Sequence, residues 1–240
     1  MKYSIFDKVR RVSRRYRKRF VHNLNASGLG AWRPLVPEKE FTVTVAQSLD
    51  RLLLREKVED LGAYVEFGVS RGTSFACVYR ELRARKIAHV QLVGFDSFEG
   101  MPADSAEEGW VPGSYRSTLT ATKRYLSSQG VEFDNAELIK GWFEDTLTPA
   151  TKERLGLTKV SLIMCDCDTY SATKLALEYT LPLVQEQAVV IFDDWGGRAD
   201  KDMLGQREAF QEVIADRRVF SAEPRPAYGS GARVFLLTRL

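Results

Sequence analysis

The sequence predicts an α/β fold with a doubly wound, mostly parallel sheet that ends in a C-terminal antiparallel hairpin. Three observations support this fold class. Five short apolar runs recur along the chain, amphipathic segments separate them, and two further extended stretches close the sequence around a turn rich in Pro and Gly. Nearly continuous apolar runs are typical of parallel strands buried on both faces, and strand–helix alternation produces right-handed βαβ units.

The elements follow one another in a regular order. The predicted strands are AYVEFG (63–68), VQLVGFD (90–96), AELIKG (136–141), VSLIMCD (160–166) and AVVIFDD (188–194). Helical patterns of apolar residues lie near 44–58, 73–85, 116–129, 145–155, 171–184 and 204–216. The hairpin strands are RRVFSAE (217–223) and ARVFLLTR (232–239). Residues 44–240 are therefore predicted to form one α/β domain.

Residues 1–43 differ from the rest in composition. The first 20 residues hold nine basic side chains and one acid, and residues 2–20 have the apolar spacing of a basic helix. Such a helix suits an anionic membrane surface, RNA, or contact with a second subunit in a homo-oligomer. Residues 21–41 carry Gly, Pro and Asn without a clear period and are predicted to be an irregular linker.

Composition excludes several classes of function. Of the 35 basic and 32 acidic residues, 26 and 31 lie after residue 20, so the body has a net charge of −5 and nucleic acid is not an expected partner. Two histidines and three cysteines leave little room for a zinc site or a Ser-His-Asp triad. No apolar run is long enough to span a bilayer and the start lacks a secretory signal, so a cytoplasmic location with reduced thiols is expected.

Chemistry is expected at the carboxyl ends of the strands, where open α/β sheets bind ligands. After the first strand, Gly68 and Gly72 allow close approach of a ligand to the backbone, although a plain strand-to-helix turn would look the same. Asp96 ends the second strand, where an acid accepts hydrogen bonds from ribose hydroxyls or caps a helix. Trp142 and Phe143 follow the third strand and could sandwich an adenine or pack in the core.

The strongest signal is a group of carboxylates after the fourth and fifth strands. Asp166 and Asp168 follow one strand, and Asp193 and Asp194 follow the next. Because like charges at one sheet edge resist joint ionisation, either a cation neutralises them or some carboxylates bind protons. Oxygen ligands favour Mg²⁺, Mn²⁺ or Ca²⁺ over zinc. The alternative is that Asp168 and Asp194 cap helices and their partners are solvated.

Five motifs in order resemble the macrocin O-methyltransferase family over about residues 45–240. These motifs are YVEFGVSRGTS (64–74), GFDSFEGMP (94–102), KGWFEDTL (140–147), CDCDTYSAT (165–173) and FDDW (192–195). The resemblance implies a Rossmann-like class I methyltransferase domain that uses S-adenosylmethionine and Mg²⁺, or Mn²⁺, to methylate sugar hydroxyls of natural products. Two features depart from it: Trp195 stands where the family usually has Tyr, and the loop 103–117, expected to form the acceptor pocket, shows no recognisable motif.

The resemblance also implies roles for individual residues. The metal ligands would be Asp166, Asp193 and Asp194, and Asp168 would be the general base, although Asp166 and Asp168 can exchange roles in this assignment. The cofactor-binding residues would be Glu66, Gly68, Ser70, Ser74, Asp96, Ser97, Phe98, Gly141, Trp142 and Phe143.

The sequence therefore predicts a metal-dependent O-methyltransferase that acts on a hydroxyl of a sugar or of a glycosylated small molecule. Three alternatives remain open. The enzyme could methylate a small molecule without a metal, or it could bind NAD, although the missing GxGxxG and the carboxylate group argue against this. The third alternative is a non-catalytic module that only binds the cofactor.

Overall fold

A computed structural model describes residues 26–28, 34–195 and 204–240, so the predicted basic helix at 2–20 lies outside the described residues. The chain forms a seven-stranded sheet. Its strands are β1 (Ala63–Phe67), β2 (Leu92–Asp96), β3 (Ala136–Lys140), β4 (Val160–Cys165), β5 (Gln187–Phe192), β6 (Phe220–Arg225) and β7 (Arg233–Arg239).

Helices connect the strands and cover both faces of the sheet. They are α1 (Glu38–Leu52), α2 (Thr73–Ala84), α3 (Leu119–Ser128), α4 (Phe143–Thr146), α5 (Pro149–Leu155), α6 (Tyr170–Thr180) and α7 (Gln206–Phe210), which continues as a π-helical turn over Gln211–Ala215. Among the described helices, none combines the length and apolar character that crossing a bilayer requires.

The strand order is β3-β2-β1-β4-β5-β7-β6, with β1 to β5 parallel and β7 antiparallel to both of its neighbours. This arrangement confirms the predicted fold class. The register aligns the carboxyl ends: Phe67 of β1 pairs with Phe95 of β2 and with Cys165 of β4, and Cys165 pairs with Phe192 of β5. The residues that follow these strands therefore emerge at one edge of the sheet.

Two apolar cores flank the sheet because alternate strand residues point to opposite faces. On β1, Tyr64 packs with residues of α1, α2 and α3, whereas Val65 and Phe67 pack with residues of α5, α6 and α7. All three side chains are fully buried. Burial of a side chain of this size stabilises the fold by about 1.5–3 kcal/mol, so the sheet is held on both faces.

Helix boundaries differ from the predicted ones for local reasons. Helix α1 begins at Glu38, inside the predicted linker, and ends at Leu52 rather than near residue 58. Pro37 precedes it, where the fixed φ of proline and the missing N–H are compatible with a helix start. The helix predicted over 145–155 is divided into α4 and α5, because Pro149 starts a new helix that the Thr148 side chain caps.

Candidate active site

A cavity of about 210 Å³ opens at the carboxyl ends of β1 to β5, where the sequence predicts ligand binding. Its wall is formed by the glycine-containing turn after β1, the acid after β2, the aromatic residues after β3 and the acids after β4 and β5. The predicted site residues that line it are Gly68, Ser70, Asp96, Ser97, Gly141, Trp142, Phe143, Asp166, Asp168, Asp193 and Asp194.

Three predicted cofactor-binding residues lie behind this wall. Glu66 is fully buried, and its carboxylate accepts hydrogen bonds from the Tyr64 hydroxyl and from Ser74 Oγ, the latter at 2.6 Å. Burial raises the pKa of Glu66 to about 8 despite these hydrogen bonds. Phe98 is buried too. Glu66 and Ser74 therefore support β1 from beneath the cavity, and Phe98 reaches the site through its backbone.

Gly68 lets the ends of β1 and β4 approach each other. Its φ is +85°, and a Cβ built there would lie 1.7 Å from the Asp166 carbonyl oxygen. The Asp166 N–H donates to the Phe67 carbonyl at 2.8 Å, which holds the two strand ends together. Only glycine fits at this point, and Gly68 also lines the cavity.

Asp96 ties the turn after β1 to the turn after β2. Its Oδ2 accepts from the Ser70 N–H at 2.7 Å and its Oδ1 accepts from the Phe98 N–H at 2.5 Å. Both donors, Ser70 and Phe98, have left-handed φ values, 46° and 55°, which are uncommon for residues other than glycine. Burial raises the pKa of Asp96, and the backbone hydrogen bonds oppose this shift. Each carboxylate oxygen keeps acceptor capacity for a ribose hydroxyl.

The two aromatic residues after β3, Trp142 and Phe143, differ in their surroundings. The Trp142 side chain lines the cavity and is 38% exposed. The Phe143 ring also reaches the cavity, but it packs edge-on against Phe67 with 5.6 Å between ring centroids. Trp142 is therefore the more accessible of the two rings for a ligand, whereas Phe143 is held by its packing against the core.

The predicted metal ligands come together at the other side of the cavity. Asp166, Asp193 and Asp194 each offer one carboxylate oxygen, and these oxygens lie within 4.8 Å of one another. Burial, reinforced by the neighbouring acids, raises the pKa of Asp166, and the same causes raise that of Asp194 to about 6. The three carboxylates are therefore electrostatically unfavourable together as anions.

The donor set fits a hard divalent cation. Asp194 Oδ2 is buried and has no hydrogen-bond partner among the described residues, which is costly for a carboxylate oxygen. A cation among the three acids would satisfy this oxygen and offset their repulsion. Carboxylate oxygens suit Mg²⁺ or Mn²⁺ better than zinc.

Asp168 lies on a strained turn beside these acids. Its φ is +62°, and the next residue, Thr169, donates its N–H to the Cys167 carbonyl at 2.6 Å. Asp168 lines the same cavity as Asp166. Asp166 and Asp168, two residues apart, therefore line one cavity on either side of this tight turn. The sequence alone leaves open which of them is the metal ligand and which is the base.

Two residues that contact the acids were not predicted. The Tyr228 hydroxyl, from the turn between β6 and β7, donates to Asp193 Oδ1. The buried Gln206 side chain accepts from the Asp194 N–H at 3.0 Å through Oε1 and donates to the Cys165 carbonyl at 3.0 Å through Nε2. Neither residue lies in a motif, and the only sequence signal was a polar Gln at the start of the predicted helix 204–216.

A family model described as macrocin-O-methyltransferase (TylF) matches residues 37–217, about three quarters of the 240-residue chain. This span contains every predicted site residue and the α-helix that begins at Glu38. The resemblance inferred from the motifs is confirmed.

The curated relatives are O-methyltransferases by name, and the name of one of them includes a rhamnosyl group. One is 8-demethyl-8-(2,3-dimethoxy-alpha-L-rhamnosyl)-tetracenomycin-C 4'-O-methyltransferase of Streptomyces olivaceus, 32% identical over 60% of this chain and 56% of its own length. Another is mycinamicin III 3''-O-methyltransferase of Micromonospora griseorubida, 26% identical over 56% and 55%. A third is demethyldecarbamoylnovobiocin O-methyltransferase of Streptomyces niveus, 30% identical over 59% and 58%. The chain thus spans little more than half the length of each.

Solved structures share the fold at low identity. The O-methyltransferase NovP superposes with a TM-score of 0.69 at 20% identity, covering 91% of this chain and 88% of NovP. A calicheamicin methyltransferase superposes with a TM-score of 0.62 at 23% identity, covering 82% of this chain and 79% of its own. Both confirm the Rossmann-like methyltransferase fold.

Proposed function

Since the chain belongs to the macrocin-O-methyltransferase family, we propose that it transfers a methyl group from S-adenosylmethionine to a hydroxyl group of a sugar or a glycosylated small molecule. We further propose that the transfer depends on a divalent metal ion. One observation carries the metal dependence: three clustered carboxylates, one with a buried and unpartnered oxygen, share a cavity with the candidate ribose acid Asp96.

The β1, β2 and β3 side of the cavity suits the methyl donor. Asp96 would accept hydrogen bonds from the ribose hydroxyls, and Trp142 would stack on the adenine. The turn at Gly68 and Ser70, which lines the cavity, would lie along the methionine part. S-adenosylmethionine supplies an electrophilic methyl group on a sulfonium. An oxygen nucleophile would attack this carbon in line at about 3 Å, the carbon–sulfur bond would break, and S-adenosylhomocysteine would leave as a neutral thioether.

The β4 and β5 side suits the acceptor. Asp166, Asp193 and Asp194 would hold the metal, which lowers the pKa of a bound hydroxyl and fixes its direction. Asp168 would take the hydroxyl proton onto its carboxylate as the oxygen attacks the methyl carbon. Tyr228 would keep Asp193 in place through its hydrogen bond. The rhamnosyl group in the name of the tetracenomycin relative supports a glycosidic acceptor.

The test is a methyl-transfer assay with the full chain, S-adenosylmethionine and a panel of 4-nitrophenyl glycosides that carry vicinal hydroxyls. Products are followed by mass spectrometry, in Mg²⁺ and in EDTA. We expect a gain of one methyl group in Mg²⁺, loss of that product in EDTA, and its return when Mg²⁺ is added in excess. Calorimetry with S-adenosylhomocysteine checks that EDTA leaves cofactor binding intact.

Two outcomes separate the two parts of the proposal. Methyl transfer that continues unchanged in EDTA would overturn the metal role and leave a metal-independent O-methyltransferase. Binding of NAD in place of S-adenosylhomocysteine would overturn methyl transfer itself.

A further inference from the structure

A closed loop follows β2 and forms one wall of the cavity. This roof loop comprises residues 101–114, and its two ends are joined by the Met101 N–H donating to the Ser114 carbonyl at 3.0 Å and the Gly113 N–H donating to the Met101 carbonyl at 2.8 Å. Gly100 makes this closure possible, because a Cβ there would lie 2.5 Å from the Ser114 carbonyl oxygen. The roof loop is therefore closed by its own backbone hydrogen bonds, and it overlaps the segment 103–117 that is predicted to form the acceptor pocket.

The far end of the roof loop reaches the start of α6. Glu108 Oε2 accepts from the Tyr170 N–H at 2.7 Å, and Glu108 Oε1 accepts from the Ser171 N–H at 3.3 Å. Because β1 lies between β2 and β4 in the sheet, a loop that starts after β2 and ends on the helix after β4 passes over the carboxyl end of β1. Ser70 Oγ donates to the Tyr115 carbonyl at 3.1 Å, which agrees with that path.

Glu108 and the N-cap residue Thr169 together accept hydrogen bonds from the first turn of α6. The Thr169 side chain accepts from the Ala172 N–H at 3.2 Å, so the first three N–H groups of the helix all have carboxylate or hydroxyl acceptors. For two of these three N–H groups, the acceptor oxygen belongs to a residue some sixty positions earlier in the chain. A carboxylate at a helix N-terminus is also favoured by the helix dipole.

The contact lies next to Asp168. The strained turn that carries Asp168 ends at Thr169, the N-cap residue of α6, so Asp168 is two residues from the first residue of the helix. Met101, Pro102 and Asp104 of the roof loop face the same cavity as Thr169, Ser171 and Ala172. Glu108 therefore joins the two walls between which an acceptor would enter.

We propose that Glu108 is a positioning residue for the acceptor: by binding the first turn of α6 it fixes the roof loop over the cavity and the turn that presents Asp168. This rests on the proposed O-methyl transfer, because it assigns the acceptor to the space between the roof loop and α6. Glu108 touches neither reacting atom and acts through the helix start.

The first test needs no acceptor. Hydrogen exchange is measured by mass spectrometry on the full chain for peptides that cover residues 101–115 and 169–173. Glu108→Ala is expected to speed exchange at the Tyr170 and Ser171 amides and in the roof loop by about tenfold or more, the size expected for a lost charge-assisted hydrogen bond. Glu108→Gln, which keeps one acceptor oxygen, should lie between Glu108→Ala and the wild type.

Glu107 provides a matched control. It is the adjacent acid in the same loop, and it is exposed where Glu108 is half-buried. Glu107→Ala removes the same charge and should leave exchange at the start of α6 unchanged. If Glu108→Ala and Glu107→Ala gave the same exchange as the wild type, the proposed contact would be absent.

The second test separates positioning from a general loss of structure. With the 4-nitrophenyl glycoside methylated best by the wild type, Glu108→Ala should raise the KM for the glycoside about tenfold and lower kcat, and Glu108→Gln should restore part of both. The Kd for S-adenosylhomocysteine should stay within about twofold of the wild type. Faster exchange with an unchanged glycoside KM would overturn the positioning role. Absence of methyl transfer by the wild type would overturn the proposed function, while the exchange result would still decide the Glu108 contact.

Discussion

Glu66 lies buried beneath the cavity, and its carboxyl group makes the stability of the protein depend on pH. Burial raises its pKa to about 8, from an ordinary value of 4.5 in an exposed chain. Between these two values the folded state binds a proton that the unfolded state has lost. The free energy of unfolding therefore falls as pH rises through this window, by up to about 1.4 kcal/mol per pH unit for one such proton.

We expect Glu66→Gln to flatten this dependence, because glutamine stays neutral in both states. Urea denaturation in EDTA at several pH values between about 5 and 8 measures the slope. A residual slope of the same sign should remain, since the pKa values of Asp166 and Asp194 are raised as well. Glu107→Gln, at an exposed position, should leave the wild-type slope in place. Equal slopes for the wild type and Glu66→Gln would contradict the account of Glu66.

The same residue shows what sequence predicts at this scale and what it does not. The motif around Glu66 predicts a turn that approaches a ligand, and Gly68 and Ser70 of this turn line the cavity. Motif membership does not tell which residues face the ligand. Glu66 precedes the end of β1, where its side chain points into the α1–α3 face and meets Ser74 rather than the cavity.

At the scale of elements, the approach of β1 to β4 depends on Gly68. We expect Gly68→Ala to destabilise the protein by more than about 2 kcal/mol beyond the cost of a left-handed alanine, because its Cβ would overlap the Asp166 carbonyl and force the strand ends apart. The free energy of unfolding from chemical denaturation measures this cost.

Gly130 is the matched control for this substitution. Its φ of +82° is close to that of Gly68, but a Cβ there would meet nothing within 4 Å. Gly130→Ala should therefore cost only the backbone strain, about 1 kcal/mol. If both substitutions cost the same, the close approach of the strand ends would not be what requires glycine at Gly68.

Strands were predicted more closely than helices, for a physical reason. The five parallel strands lie within a residue or two of their apolar runs, because burial on both faces makes such strands nearly continuous in apolar residues. Helix ends depend on local caps and on proline, so α1 began early at Glu38 and the predicted helix at 145–155 became two. The π-helical turn Gln211–Ala215 has no signature in the apolar spacing.

The substitution of Trp195 for the usual tyrosine is explained at the element scale. Its ring packs against Phe192, Phe210 and Phe235 with centroid distances of 5.1–5.3 Å, joining β5, α7 and β7. A larger ring enlarges this aromatic cluster. Trp195 therefore belongs to the core beside the acids, and it does not line the cavity as described.

For the whole molecule, parallel topology explains why the candidate site could be predicted in outline. Strands that run the same way end at one edge, so acids separated by some thirty residues in sequence become neighbours. Side chains that reach the site from segments other than the strand ends were not predictable. Tyr228 comes from the hairpin, Gln206 from α7 and Glu108 from a loop without a motif, and only the three-dimensional fold brings them to the acids or to α6.

The charge of the site indicates what it can bind. Among the residues described as lining the cavity there are seven acids and no Lys, Arg or His. A strongly negative cavity attracts cations and disfavours anions. This negative potential favours both a divalent metal ion and the positively charged sulfonium of the methyl donor, and it does not repel an uncharged polyol.

The most direct test of the central claim is a titration of Mn²⁺ into the metal-free full chain, followed by electron paramagnetic resonance. We expect one Mn²⁺ to bind per chain in the wild type and Asp193→Asn to weaken that binding by about tenfold or more, because one of three charged ligands is lost. Asp104→Asn removes an equal charge from the cavity rim and should leave the affinity within about twofold. No bound Mn²⁺ in the wild type, or equal affinity in Asp193→Asn, would contradict the claim that these acids hold a metal.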